Sequence, residues 1–204
     1  APLRGKSQSS IRLALEELQA GRAAAVVTAG HSGAAMASAL HVLGRLPGVA
    51  RPALVTVVPR GDGGETVLLD LGVNVDCKVE HLVQFALMGD AYSRVVLGVE
   101  RPRVGLLSNA EERNKGNAQV RSALEALDAL DLDFIGPVEP DAALLGAADV
   151  LVCDGFVGNV VFNLTESVAT ILPQMVRSEI GRQELAPEQA QLVGGVLKGM
   201  LAPF

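Results

Sequence analysis

Apolar positions recur along this chain in two rhythms, short continuous runs and stretches at helical spacing, and their alternation predicts a βαβ architecture. Ser9 or Ser10 can cap a first helix in which Ile11, Ala14, Leu15 and Leu18 share a face, with Gly21 ending it. Residues 24–28 read as a buried strand, 29–33 as a tight loop, and 34–39 as a helix rich in small residues. Residues 55–58 and 67–71 read as strands joined through Arg60-Gly61-Asp62-Gly63-Gly64, a strong turn signal. Residues 80–93 are apolar nearly all round, which predicts a helix buried on more than one side, as at a subunit interface. Further strands fall at 104–107, 134–135 and 150–153. Between the first two of these lies a helix with Val120, Ala123, Leu124 and Leu127 inward and Arg121, Glu125 and Asp128 outward. Two helices close the chain, one over 158–181 and one from Pro187 onward.

Composition sharpens this picture. Hydrophobic residues make up 49% of the 204, yet aromatics are only 3% and Trp is absent, so Val, Leu and Ala must build the core. Such a core suits a mostly parallel sheet covered by helices, a layered αβα sandwich. A formal charge of −6 with no sustained basic run argues against nucleic acid as a partner. Cys77 and Cys153 lack a C-x-x-C partner, which suggests neither a disulfide framework nor a zinc site and fits a reducing cytoplasm. No signal peptide opens the chain, and no run of about 18 apolar residues predicts a membrane span. The start at Ala1-Pro2 and the stop at Phe204 inside an apolar pattern look like cuts. The expected division is a core over 1–184 and an apolar helix over 185–204.

Four loops share one design, an apolar strand followed by Gly with small polar residues and then a helix start. They are Thr28-Ala29-Gly30-His31-Ser32-Gly33, Asp70-Leu71-Gly72-Val73-Asn74-Val75-Asp76, Asn114-Lys115-Gly116-Asn117 and Asp154-Gly155-Phe156-Val157-Gly158-Asn159. In an open α/β sheet ligands collect at the carboxyl ends of strands, and helix N-termini there offer free N–H groups to an anion. Any one such loop is explained by turn-making alone; four of them, carrying Lys, Asn and Asp, point to phosphate. Neither G-x-G-x-x-G nor the phosphate loop ending in G-K-[ST] occurs. Asp70-x-Gly-x-Asn74-x-Asp76 mimics the start of a calcium loop but has its Gly misplaced and no closing Glu. Asp76, Cys77 and His81 lack a fourth ligand at zinc spacing, so no metal is expected. No G-x-S-x-G elbow displays a serine nucleophile, and Ser32 suits a helix cap better.

Read together, these loops carry a resemblance. Residues 68–85 (LLDLGVNVDCKVEHLVQF), 103–117 (RVGLLSNAEERNKGN) and 152–161 (VCDGFVGNVV) resemble the acyl-(acyl-carrier-protein):phosphate acyltransferases of bacterial phospholipid synthesis. TAGHSGA at 28–34 is similar to that family's first Gly loop. The resemblance implies a fold like the isocitrate and isopropylmalate dehydrogenases, no cofactor, a homodimer, and peripheral association with the membrane. It implies transfer of a fatty acyl group from acyl carrier protein to inorganic phosphate. His31 and Ser32 stand where the family usually has Asn and Thr, Ala110 where it tends to have Gly, and Val73 where Ala is usual. The family also has further segments, each with its own Gly-rich loop, before and after this stretch.

Attack of phosphate on a thioester needs the phosphate held near the carbonyl and the carbonyl oxygen stabilised as it becomes negative. In that scheme Gly30, His31, Ser32 and Gly33, with Gly155 and Gly158, bind phosphate. Lys115 supplies a point charge, and Asn159 donates to the thioester oxygen. Asn74 and Asn117 are weaker donors, and Asp70 and Asp154 orient donors. The plain alternatives are a solvated lysine for Lys115 and an N-cap for Asn159. Arg45, Arg51, Arg60, Arg101, Arg103 and Arg177 are available to an acidic carrier protein. Val193, Val196, Leu197, Met200, Leu201 and Phe204 fall on one side of the last helix, facing a bilayer surface or a protein partner. The rival functions are an acyltransferase that uses Cys153 as nucleophile, a nicotinamide oxidoreductase, and a non-catalytic membrane-attached scaffold for the carrier.

Overall fold

A computed structural model describes residues 9–183 and 186–201, without the side chains of residues 200 and 201. The chain divides into two compact units, Ala1–Ala53 and Leu54–Phe204. In the first, α1 (Ser10–Gln19) packs on α2 (Ser32–Val42). Ser9 caps α1 by accepting from the Arg12 N–H at 3.4 Å, and Leu15 is buried. Residues 24–28 are not a strand, and Val27 is 98% exposed. A strand needs a neighbour to take its N–H and C=O groups. Among the described residues of this unit there is none.

The second unit is built on one five-stranded sheet. Its elements in chain order are β1 (Val55–Pro59), β2 (Glu65–Leu69), α3 (Val79–Tyr92), β3 (Arg103–Leu107), α4 (Ala118–Asp128), β4 (Asp133–Val138), α5 (Pro140–Leu144), β5 (Val150–Val152), α6 (Gly155–Arg182) and α7 (Pro187–Leu201). The spatial order is β1-β2-β5-β3-β4. Only the β1–β2 hairpin is antiparallel; β2, β5, β3 and β4 run parallel, as the apolar runs predict. Val67, Leu68 and Leu69 of β2, Val104 and Leu106 of β3, and all of β5 are buried, so the middle of the sheet is covered on both faces. Pro137 sits in β4, an edge strand, where a missing N–H is tolerated.

The helices follow their patterns with some changes at the ends. Ala123, Leu124 and Leu127 bury the inner face of α4. On α3, His81, Leu82, Phe85, Ala86, Gly89 and Asp90 are buried, but Leu87 is 45% exposed. A π-helical turn over Ser93–Leu97 extends it, ending at Gly98 with φ +72°. Gly89 is required by packing, because a Cβ there would meet Leu69 at 3.0 Å and overlap Val150.

The amino ends of the strands are tied together around one carboxylate. Asp149, just before β5, accepts from the Arg103 backbone N–H at 2.9 Å, from its guanidinium at 2.9 and 3.0 Å, and from Arg60 at 2.9 Å. Burial alone would disfavour the charged carboxylate, but these donors outweigh it and hold the group down at about 2. Arg60 and Arg103 are therefore engaged internally, at the end of the sheet opposite the strand carboxyl termini.

The long helix α6 presents two contrasting faces. Val157, Val161 and Phe162 pack on the core around Leu68, Leu71 and Leu151. The opposite side leaves Phe156, Val160, Leu164, Val168, Ile171, Leu172 and Met175 exposed. By length and composition its 28 residues suffice to cross a membrane, with a window of mean hydropathy 1.3, although no uninterrupted apolar run announces it. On α7, Leu192, Val193 and Val196 are exposed, while the side chains of Met200 and Leu201, and all of Phe204, lie outside the described residues.

Candidate functional site

Three parallel strands that lie side by side, β2, β5 and β3, deliver their carboxyl ends to one edge of the second unit. Asp70 follows β2, Asp154 follows β5, and Ser108 follows β3. Asp70 is fully buried. Its Oδ1 accepts from the Leu54 N–H at 2.8 Å, and its Oδ2 from the Asn74 N–H at 2.7 Å and the Asn74 amide at 2.9 Å. Asp70 thus folds residues 70–74 into a closed turn. Its carboxylate is a structural acceptor, and the Asn74 amide is engaged with it.

The amino end of α6 is pressed into that turn. Asp154 caps the helix, its Oδ1 accepting from the Val157 N–H at 2.8 Å, and the Gly155 N–H donates to the Asn74 carbonyl at 2.8 Å. Both glycines are dictated by contact. A Cβ on Gly155 would lie 2.8 Å from the Asn74 oxygen and 2.9 Å from Asp70 Oδ2. One on Gly158 would overlap the Asp70 carbonyl oxygen and lie 2.8 Å from Cys153 Sγ. The helix therefore begins at Gly155, three residues before the expected start. That puts Asn159 inside the helix rather than at its N-cap, exposed, with Oδ1 3.2 Å from where a Cβ on Gly72 would stand. Gly72 has φ +110°, so glycine both permits the turn and clears Asn159.

A chain of hydrogen bonds links this knot to α4. Cys77 Sγ donates to the Asn74 carbonyl at 3.2 Å, and Gln119, in the first turn of α4, donates to the Cys77 carbonyl at 2.7 Å. Asn117 caps α4 by accepting from the Val120 N–H at 2.8 Å, which is its observed role. Lys115 and Asn117 are exposed, and Gly116 between them has φ +82°. The starts of α4 and α6 and the 70–78 turn are thus joined by direct contacts. Two helix N-termini, each equivalent to about half a positive charge, are brought together there, and the exposed Lys115 lies in the loop that leads into α4.

Gly30, His31, Ser32 and Gly33 belong to the first unit and are all exposed. His31, not Ser32, caps α2, with Nδ1 accepting from the Ala34 N–H at 3.4 Å; Ser32 is already the first helical residue. The imidazole reaches the third N–H of the helix, the position a capping acceptor must serve.

The thiols are poorly suited to nucleophilic work. Burial pushes Cys153 well above the ordinary thiol value, reinforced by the nearby Asp154 and Asp70 carboxylates. Burial also pushes Cys77 up, to about 11, despite a hydrogen bond from Gly155. A thiolate at Cys153, 3% exposed, is disfavoured on both counts. Sequence reading passed over Ser108, whose Oγ is buried without a hydrogen-bond partner. A single serine after a strand carries no pattern that would mark it.

Residues 1–202 match the family described as fatty acid synthesis protein. The chain belongs to that family. Its curated relatives include the phosphate acyltransferase of Geobacter sulfurreducens, 50% identical over 184 residues that cover 90% of this chain and 53% of that one. The phosphate acyltransferase of Salinibacter ruber is 48% identical over 193 residues, covering 94% and 57%. The resemblance read from the loop sequences is thereby borne out, and the chain spans little more than half the length of these relatives. Among solved structures, a phosphotransacetylase from Streptococcus pyogenes superposes with a TM-score of 0.63 at 23% identity, covering 78% of this chain and 55% of that one. That likeness concerns the fold alone.

Proposed function

We propose that this chain forms part of an enzyme that moves a fatty acyl group from the thioester of acyl carrier protein to inorganic phosphate. The observation that carries the reading is the hydrogen-bonded junction of the α4 and α6 starts with the 70–78 turn, at the carboxyl ends of three adjacent parallel strands. Membership of the fatty acid synthesis family supplies the lipid context.

In this reading a phosphate oxygen attacks the thioester carbonyl carbon. The C–S bond breaks, and the proton lost by hydrogen phosphate ends on the departing sulfur as a thiol. The products are acyl-phosphate and free carrier, so no covalent acyl-enzyme is needed. A thiol with a pKa near 8.5 leaves readily, and catalysis rests on positioning and charge. Because the N–H groups of Gly155, Val157, Gly158 and Val120 have internal acceptors, phosphate falls to the N–H groups of Ala118 and Gln119 on α4 and Phe156 on α6, with Lys115 offsetting developing charge and Asn159 donating to the carbonyl oxygen. A fold kinship with the isocitrate and isopropylmalate dehydrogenases belongs to the same reading. Release of carrier thiol should require phosphate, and sulfate should not replace it. Equal release without phosphate contradicts the reading.

The exposed face of α6 suits a second copy of the chain. Leu164, Val168, Ile171 and Met175 follow 4-3-4 spacing, the seam of two packed helices. Sedimentation of the Leu164→Glu, Val168→Glu protein should give a monomer where the parent gives a dimer; a monomeric parent at high micromolar concentration removes this assignment.

A further inference from the structure

We propose that the Ser108 hydroxyl is a further phosphate-binding group, donating to an oxygen of the attacking phosphate from the floor of the β3–α4 loop; this rests on the acyl-transfer reading above. Ser108 is 8% exposed, and its Oγ has no hydrogen-bond partner. Its backbone is fixed, because the Ser108 N–H donates to the Val138 carbonyl at 2.9 Å. The buried hydroxyl of Thr66, by contrast, is satisfied by the Ala148 carbonyl at 2.8 Å. An unpaired buried hydroxyl is a net cost to folding, retained where something else uses it.

Its direction suggests what uses it. Ser108 Oγ lies 3.5 Å from where a Cβ on Gly116 would stand, so it is turned toward the loop that opens α4. A Cβ at 116 would stand 2.8 Å from Val120 Cγ1 and strain a backbone at φ +82°. Beyond Gly116 the helix begins. Asn117 already takes the Val120 N–H, while the N–H groups of Ala118 and Gln119 have no partner within a helix. One hydroxyl and two backbone N–H groups, in a loop that also carries the exposed Lys115, offer donors that suit a tetrahedral oxyanion and give a neutral ligand no acceptor. Among the described residues the other buried hydroxyl without a partner, on Ser93, sits at the start of the π-helical turn, away from any strand carboxyl end.

The test is Ser108→Ala, prepared in the polypeptide at its cellular length. Removing a donor to a charged oxygen should raise KM for phosphate about tenfold or more, with kcat within about threefold and KM for the acyl carrier unchanged. Phosphate binding measured by calorimetry without acyl donor should weaken by the same factor, and the melting temperature should hold or rise. If phosphate binding is unchanged, the hydroxyl is only an unpaired core group and the proposal is overturned. If KM rises for the carrier alone, the group serves the acyl donor rather than the attacking phosphate, and the proposal is overturned as well. Calorimetry needs no turnover. Phosphate binding that weakens in Ser108→Ala while the parent transfers no acyl group would therefore sink the acyl-transfer reading and leave this one standing.

Discussion

Replacing Gly158 with alanine should cost at least about 3 kcal/mol of stability and abolish measurable activity in whatever fraction folds. The added methyl would overlap the Asp70 carbonyl oxygen and stand 2.8 Å from Cys153 Sγ. Neither obstacle can swing aside. The carbonyl belongs to a backbone held by the Asp70–Cys153 and Cys153–Leu69 hydrogen bonds, and Cys153 is buried. The only relief is for α6 to lift off the 70–74 turn, breaking the Gly155–Asn74 bond and opening the junction on which the proposed chemistry depends. Urea denaturation compared with the Gly181→Ala protein provides the control, since a Cβ at Gly181 meets nothing within 4 Å. A Gly158→Ala protein within about 1 kcal/mol of the parent would show that α6 is not seated so closely.

Lys115→Ala should lower the rate of acyl transfer about a hundredfold, the usual cost of removing one donor from a developing oxyanion. Lys115 is exposed, and its backbone N–H is bonded to the Glu112 carbonyl, so the loop does not depend on its side chain. Stability should change by no more than about 0.5 kcal/mol. Lys115→Arg should recover only part of the rate, because a planar fork does not replace a compact ammonium. Single-turnover formation of acyl-phosphate is the measurement. A rate within threefold of the parent would return Lys115 to the class of ordinary solvated lysines.

Much of the fold was legible because its strands are buried on both faces. Val67-Leu68-Leu69 and Val150-Leu151-Val152 are continuous apolar runs, which is what a central parallel strand requires. The same pattern misled at 24–28, because periodicity reports a propensity to pair and not whether a neighbour exists. The α6 boundary was misread for a related reason. Gly155 and Gly158 look like helix breakers, yet both are there so that a helix can approach another backbone. Three of the four loops were visible as glycine-rich segments between a strand and a helix, whereas residues 28–33 follow no strand. The division of labour inside them was not, since it depends on contacts between residues far apart in sequence. Asp70 and Asn74 look like ligands for something external and instead bond to each other and to Leu54. Asn159 looks like a cap but lies inside the helix. Arg60 and Arg103 look available for docking an acidic partner, and Asp149 engages both.

The decisive measurement follows the oxygen atoms. Incubated with an acyl-carrier thioester and phosphate carrying 18O at all four positions, the polypeptide at its cellular length should yield acyl-phosphate retaining all four labels, one of them now bridging to the acyl carbonyl. Fatty acid carrying one solvent oxygen and no 18O, with phosphate recovered unchanged, would mean that water rather than phosphate is the nucleophile, and would contradict the assignment of the α4 and α6 starts as a phosphate site.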